Sequence, residues 1–326
     1  MKKILILFIA TFTLFSCKDS GSSDPILPTS VGNTNKILVV MQSNLWLGKP
    51  GDEMRSVFGE HQVGLPQPET LLSVSQVDPS GFKTFMRNNR SILMVQRGEE
   101  ETLSFTKNKY ASPQTIVVAT AKDEAGFVNV IRERGKEIIQ IFKDEDITFT
   151  QKIFKKNRLD ETKFKTIQNL NLSIDVPKSY NLVDDTGDFL WLRQHLKSAV
   201  SGSNNILIYS TPLEDETTVQ DSITSVRNKI GKKYIPGSKE GMYMITEEAY
   251  TPFIYETILD GKKAFETRGK WEVKNDFMAG PFLNYSIIDK ANNRVVVFEG
   301  FTYAPSANKR DFIFELEAIA KSLKIK

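Results

Sequence analysis

Few residues of this chain have the types and spacings that catalysis or metal binding requires. The two histidines, His61 and His195, stand far apart, and neither has another metal ligand at a short spacing. The single cysteine, Cys17, excludes a disulfide framework and a cysteine-based zinc or iron–sulfur site. The sequence also lacks glycine-rich nucleotide loops, HExxH and GxSxG. It therefore predicts no metal site and no cofactor.

Three aspartates surround Gly187 in one short acidic loop. They are Asp184, Asp185 and Asp188, and their oxygens are of the kind that Ca²⁺ prefers. The spacing of an EF-hand is not met, however. We interpret the loop as a polar turn between two strands.

The residues most typical of a binding surface lie near the C-terminus. An aromatic and charged stretch runs from Arg268 to Phe282, and a basic pair follows at Lys309 and Arg310. Trp and Arg are frequent at binding hot spots, although Trp271 could equally fill a core. Strand alternation places Arg268 and Trp271 on opposite faces. The candidate binding residues are Arg268, Trp271, Asn275, Asp276, Met278, Phe282, Lys309 and Arg310.

Carboxylates offer an alternative chemistry. Two carboxyl groups suffice for glycoside hydrolysis, so a shortage of His and Cys does not exclude an enzyme. Glu299 and Asp276 are the carboxylates that we consider for this role. The alternative hypothesis is therefore a hydrolase that acts on an envelope polymer.

The elements that position these residues differ between the two halves of the chain. In the first half, short strands alternate with helices, from a strand at 36–41 to a long helix at about 123–158. We expect a break in that helix at Gly135. The pattern predicts the order β-α-β-α-β-β-α.

The second half is richer in strands. A helix from Thr217 to about Lys233 carries an apolar stripe at spacings of three and four residues, and a second helix covers about 309–323. Asp260-Gly261 predicts a hairpin turn. The predicted strands lie at 172–176, 189–195, 205–209, 250–259, 263–273, 282–288 and 294–303.

These patterns predict an α+β protein of two domains. We expect a mixed β-α domain at 36–160 and, at 166–326, an antiparallel sheet covered by helices. The order of elements in the second domain resembles the PsbP/Mog1-type α/β sandwich, an analogy that does not fix a function. We expect a fragment that begins near Thr166 to fold alone.

The N-terminus carries a targeting signal. Lys2 and Lys3 precede a twelve-residue apolar run, Ile4–Phe15, which is too short to span a membrane. The sequence that ends at Cys17 resembles a bacterial lipobox. We therefore predict a signal peptide at 1–16 and lipidation of Cys17, the alternative being an ordinary secretory signal. Residues 17–35 are rich in Ser, Gly, Pro and Asn and predict a flexible tether.

Charge limits the classes of partner. The net charge of +3 falls by two, to +1, once Lys2 and Lys3 are removed. A nearly neutral protein has no electrostatic attraction to nucleic acid or to anionic lipid. The predicted membrane contact is therefore the lipid itself. We expect a cell-envelope location, with the outer membrane facing the periplasm favoured over surface display.

Several segments resemble a family of Bacteroidetes lipoproteins, domain of unknown function 4837. The segments are the lipobox, LWLGKPGDEMRSVFG, VGLPQPE, YASPQ, RGKWEVKNDFMAGPF and EGFTYAPSANKRDFIFELEAI. The resemblance implies an envelope lipoprotein and assigns no catalytic residues. The leading hypothesis is a non-catalytic module that binds a protein partner or an envelope component through the second domain.

We predict that Cys17→Ala abolishes lipidation and membrane retention, because no other segment of the sequence is suited to hold the protein at a bilayer. Metabolic labelling with radioactive palmitate, followed by membrane fractionation, tests this. Label that still enters the Cys17→Ala protein would refute the lipobox.

Overall fold

A computed structural model describes residues 27–197 and 202–326. The signal peptide, Cys17 and the first part of the tether lie outside the described residues. No helix among the described residues is long and apolar enough to cross a membrane.

The first sheet has five strands in the order β2-β1-β3-β5-β4. β1, β2, β3 and β5 run parallel to one another, and β4 pairs antiparallel with β5 at the edge. β4 is exposed along most of its length and was not predicted. The strands are β1 (Lys36–Val40), β2 (Ser73–Val77), β3 (Ser91–Arg97), β4 (Thr102–Lys107) and β5 (Thr115–Ala121).

The helices α2 (Lys49–Phe58) and α4 (Glu124–Lys156) pack together on one face of this sheet and enclose the main core of the first domain. α4 continues without a break through Gly135, contrary to our expectation. A Cβ atom at Gly135 would lie 2.4 Å from a methyl group of Val57, so glycine permits close approach of the two helices. The helices of this half are α1 (Ser43–Leu47), α2 (Lys49–Phe58), α3 (Thr84–Arg87) and α4 (Glu124–Lys156).

The second sheet has eight antiparallel strands in the order β10-β12-β13-β14-β9-β8-β7, with β11 paired to β12 beside β10. β6 and β15 form a separate two-stranded ladder. The strands are β6 (Leu172–Ser173), β7 (Asn181–Asp185), β8 (Phe189–His195), β9 (Ser203–Pro212), β10 (Met244–Thr246), β11 (Phe253–Leu259), β12 (Lys262–Val273), β13 (Ala279–Asp289), β14 (Arg294–Tyr303) and β15 (Lys324–Ile325).

Helices cover both faces of the second sheet. One face packs against α5 (Lys165–Asn169) and α7 (Arg310–Ala320) in the largest core cluster. The other face packs against α6 (Val219–Tyr234), whose apolar stripe is the one that the sequence predicts. Helices and antiparallel strands thus segregate in this half, and the α+β class is confirmed.

The described part of the tether is not free. The backbone of Pro28–Val31 exchanges hydrogen bonds with Ser112 and with Asn88–Arg90, beside β3 and β5. The amide of Asn35 also donates to the buried Asp146 carboxylate at 2.7 Å. This corrects the predicted tether, because its last residues, from Pro28 onward, are fixed to the first domain.

The two halves are joined at the N-terminus of α7. The Glu69 carboxylate accepts hydrogen bonds from the backbone amides of Lys309 at 2.6 Å and Arg310 at 3.0 Å. The Arg310 guanidinium donates in turn to the carbonyl of Thr70 and to the hydroxyl of Ser73. We call this group of five residues the clasp. It satisfies amides that a helix N-terminus leaves without partners.

The loop that carries Glu69 is fitted to the second domain. Gly64 has φ of +82°, and a Cβ atom there would lie 3.0 Å from the backbone nitrogen of Gly269 on β12. Its amide donates to the hydroxyl of Tyr250. Glycine at this position therefore allows the loop to contact the second sheet.

We predict that Glu69→Ala lowers the free energy of unfolding by about 1–2 kcal/mol, because it removes the cap of α7 and leaves two amides unpaired. Urea denaturation of the purified protein measures the change. The matched control is Glu60→Ala, which removes an exposed glutamate. Equal effects of the two substitutions would show that the clasp contributes nothing.

Candidate functional site

The eight predicted binding residues do not form one surface. They fall into four places: the α7 face of the second sheet, its α6 face, the turn between β12 and β13, and the clasp. Four of the eight residues are buried, with at most 4% of their surface exposed. These are Arg268, Trp271, Phe282 and Lys309.

Arg268 belongs to a buried ion network rather than to a surface. Its guanidinium donates to Glu317 on α7 and to Glu266 on its own strand, both at 2.6 Å. Glu317 also binds the ammonium groups of Lys143 on α4 and Lys321. Burial alone would raise the pKa of Glu317, but these three cations hold it well below its ordinary value. Arg268 is therefore committed to holding β12, α4 and α7 together.

Trp271 and Phe282 lie on the opposite face, as strand alternation predicts for Trp271. The Trp271 indole N–H donates to the carbonyl of Thr302 at 3.2 Å, and the ring meets Phe301 edge to face at 5.4 Å. The Arg227 guanidinium covers the Phe282 ring at 3.9 Å. Both aromatic residues thus form part of the core beneath α6 and its following loop.

The basic pair, Lys309 and Arg310, belongs to the clasp. The Lys309 ammonium donates to the side-chain carbonyl of Gln67 and to the carbonyl of Ala307. Burial lowers the pKa of Lys309, and Glu69 opposes that shift. Arg310 reaches across to the first domain. Neither side chain is presented to a partner.

Three candidates lie in the turn between β12 and β13. Asn275 is exposed and adopts φ of +63°. The Asp276 carboxylate accepts hydrogen bonds from the Phe277 amide and, at 3.3 Å, from the Ser238 hydroxyl. Met278 is half-buried and lines a cavity together with Trp271. Of the eight candidates, Trp271 and Met278 are thus the two that line the same cavity.

The carboxylates of the hydrolase hypothesis occupy different environments. Glu299 is 1% exposed beneath α6, where its carboxylate binds Arg227 at 3.0 Å and accepts from the Asn284 amide. Burial raises the pKa of Glu299 although Arg227 opposes the shift. Asp276 lies in the turn described above. Glu299 is thus held in an internal ion pair rather than at a cleft.

The acidic loop around Gly187 caps a helix. The Asp185 carboxylate accepts hydrogen bonds from the amides of Lys165 and Thr166, at the start of α5. Among the described residues, no cluster of three His, Cys, Asp or Glu side chains is arranged to hold a metal ion.

The most distinctive concave feature is a cavity of about 360 Å³ on the α6 face of the second sheet, which we call the aromatic cavity. Its walls come from β8, β9, β10, β12, β14, the loop after α6 and the β12–β13 turn. Two of the three tryptophans of the chain line it. The lining residues are Trp191, Arg193, His195, Ser203, Asn205, Ile235, Pro236, Gly237, Ser238, Met244, Trp271, Val273, Met278, Phe301 and Tyr303.

Asn205 organises one wall of the aromatic cavity. Its side-chain carbonyl accepts hydrogen bonds from the Trp191 indole N–H and from Nε of Arg193, both at 3.0 Å. Its amide nitrogen donates to the hydroxyl of Ser203. The Arg193 guanidinium also lies 4.6 Å from the centre of the Trp191 ring. A buried amide therefore fixes both a tryptophan and an arginine at the cavity wall.

A second hollow, of about 380 Å³, lies beside α6 itself, between Val219 and Ile230, rather than at the loop that follows the helix. It is lined by residues such as Ser222, Ser225 and Lys229, and no aromatic residue is among its described lining. Asp215 at its edge already caps the turn before α6. The aromatic cavity is therefore the better candidate site.

Sequence reasoning found Trp271 and Met278 but missed Trp191, Arg193 and Asn205. These three share one face of the β8–β9 hairpin, because Arg193 pairs directly with Asn205. The alternation of Trp191 and Arg193 on one strand was the available signal. That signal does not reveal which distant segments close the cavity.

Two family models match the chain. Domain of unknown function DUF4837 matches residues 158–322, just over half of the chain, and domain of unknown function DUF8532 matches residues 30–155. No curated protein matches the sequence.

Several solved structures are distantly similar. LpqN, described as involved in cell envelope biogenesis of Mycobacterium tuberculosis, has 13% identity and a TM-score of 0.33, covering 48% of this chain and 83% of its own. The Ran-binding protein Mog1p of Saccharomyces cerevisiae has 9% identity and a TM-score of 0.33, covering 48% and 90%. A Bacteroides thetaiotaomicron protein has 11% identity and a TM-score of 0.25, covering 48% and 46%. These similarities are too weak to support an argument about fold type or function.

We predict that Trp271→Ala lowers the free energy of unfolding by about 3–5 kcal/mol, because the indole is buried and well packed. Met278→Ala, at the half-buried position across the same cavity, should cost less than about 1.5 kcal/mol. Chemical denaturation of both variants measures the difference. An unchanged midpoint for Trp271→Ala would mean that Trp271 is not a core residue.

Proposed function

The chain belongs to the DUF4837 family, whose function is unknown, and from this premise we propose that it is a lipid-anchored, non-catalytic binding protein of the cell envelope. We propose the aromatic cavity as its binding site. The partner is an envelope component, either a small molecule or a group of that size on a larger envelope molecule.

The observation that carries this proposal is the composition of the cavity wall. Apolar and aromatic residues form most of it, and a few fixed polar groups lie at one side. Its volume falls within the range of small-molecule sites, about 300–1,000 Å³. No Asp or Glu is among the described residues that line it. Such a wall can hold a ligand by apolar contact but offers no pair of carboxylates for hydrolysis.

The proposed location follows from the N-terminal sequence. The apolar run that ends at Cys17 supports lipidation, and two or three acyl chains anchor a protein stably where one would not. The near-neutral charge favours a membrane contact made by lipid alone. We therefore propose an outer-membrane anchor facing the periplasm.

The hydrolase alternative finds no supporting observation in the geometry. Of its two carboxylates, Glu299 is enclosed beneath α6 and neutralised by Arg227. A general acid or nucleophile must reach the reacting bond, which this carboxylate could do only if α6 moved away.

We predict that filling the aromatic cavity displaces the bound envelope component. Ser238 is exposed at the rim, so Ser238→Trp should place an indole in the opening without disturbing the core. Ser225→Trp is the matched control, because Ser225 is also exposed but lines the second hollow. The lipidated proteins are purified from native membranes, and co-purifying molecules are identified by mass spectrometry.

We expect one or more envelope molecules to co-purify with the unaltered protein and with Ser225→Trp, and to be strongly reduced in Ser238→Trp. Loss in Ser225→Trp alone would move the site to the second hollow. Equal recovery from all three proteins would refute binding in either hollow.

A further inference from the structure

Arg193 is a cation without a counter-ion at the wall of the aromatic cavity. No carboxylate among the described residues lies within ion-pair distance of its guanidinium, and its two Nη groups make no hydrogen bond with a described residue. Only its Nε is engaged, by Asn205 at 3.0 Å. Arg193 is half-buried, and every other buried or half-buried arginine in the described part of the chain, such as Arg268 or Arg227, has a carboxylate partner.

The guanidinium is also held in a defined orientation. It lies against the Trp191 ring, while Asn205 fixes its Nε. The edge that carries the two Nη groups is thus left for an acceptor with two oxygens. A carboxylate matches this planar fork with two parallel hydrogen bonds.

The charge of the cavity favours a monoanion. Arg193 is the one Lys or Arg side chain among the described lining residues. A carboxylate brings one negative charge, which one guanidinium balances, whereas a phosphate monoester brings nearly two. Enclosing an unbalanced charge is costly, so a carboxylate fits this cavity better than a phosphate does.

The remaining wall selects the body of the ligand. Apart from the polar wall around Asn205, the lining is mainly apolar and includes Trp271, Phe301 and Met244. These three residues are themselves almost fully buried and form the floor. The half-buried Met278 and Tyr303 offer the more accessible thioether and aromatic surface for a flat apolar group.

We propose that the aromatic cavity binds a small monocarboxylate with a flat apolar body, the carboxylate on the Nη groups of Arg193 and the body against Met278 and Tyr303. This inference rests on the proposed function, because it assigns a ligand class to the same site. Partial burial lowers the pKa of Arg193 from its high ordinary value, and a bound carboxylate would offset the cost of burying that charge.

The test compares two probes with the same phenylethyl body, one with an anionic carboxylate of two acceptor oxygens and one with a neutral amide of a single acceptor oxygen. The full-length lipoprotein, in phosphatidylcholine nanodiscs that avoid detergent in the cavity, is titrated with 3-phenylpropionate and with neutral 3-phenylpropanamide. Trp191 and Trp271 line the cavity, so tryptophan fluorescence reports binding, and calorimetry gives the affinity. We expect the carboxylate to bind at least about tenfold more tightly than the amide, as a hydrogen-bonded charge pair provides.

Variants then assign the preference to Arg193. Arg193→Gln should bind both probes equally, while Arg193→Lys should retain part of the preference. The matched control is Arg97→Gln, on an exposed strand position of the first sheet, which should behave as the unaltered protein does. The unfolding midpoint of each variant is measured alongside, and the comparison of the two probes on the unaltered protein needs no variant.

Equal affinity for the two probes in the unaltered protein, or an unchanged preference in Arg193→Gln, would overturn the inference. If neither probe binds while Ser238→Trp still displaces the co-purifying molecules, the ligand class is wrong and the proposed function stands. If neither probe binds and Ser238→Trp displaces nothing, both fail.

Discussion

The carboxylate of Glu69 joins the first half of this protein to α7 of the second half. It caps α7 from a loop that lies about 240 residues earlier in the sequence. α7 lies on the second sheet, and its Glu317 binds both Arg268 of that sheet and Lys143 of α4. The helix therefore receives partners from the first domain at its start and along its buried face. The position of α4 over the second domain depends on these contacts.

This arrangement explains why the most distinctive residues of the sequence are structural. A buried charge must be paired, and removal of one partner leaves the other uncompensated. Arg268 meets this requirement with Glu317 on α7. Lys309 and Arg310 donate instead to neutral groups of the first domain, the Gln67 side chain and the Thr70 carbonyl. The segments VGLPQPE and EGFTYAPSANKRDFIFELEAI, which carry the family resemblance, meet at the clasp. Their unusual composition reflects the joining of the two halves rather than a binding surface.

Local patterns predicted most of the longer helices and strands, but they predicted neither the exposed strand β4 nor which distant elements contact one another. The stripe on α6 and the Asp260-Gly261 turn, where both residues have positive φ, follow from periodicity and backbone preference. Alternation correctly separated Arg268 from Trp271. The expected break at Gly135 failed because close packing against Val57 outweighs the low helix propensity of glycine. The wall of the aromatic cavity was missed because it combines segments far apart in the chain, and a single sequence does not pair such segments.

The hydrogen bonds of Asn205 reduce the rotational freedom that Arg193 would lose on binding a ligand. An arginine side chain normally loses considerable rotational freedom when it binds a ligand, and this loss of entropy opposes binding. In this protein, much of that freedom is already lost on folding, when the side-chain carbonyl of Asn205 orders Arg193 and Trp191 together. The wall is thus preorganised, and the proposed ligand would meet a site that needs little rearrangement. Selectivity then resides in a rigid shape, so a molecule that fits poorly gains nothing by induced adjustment of this wall.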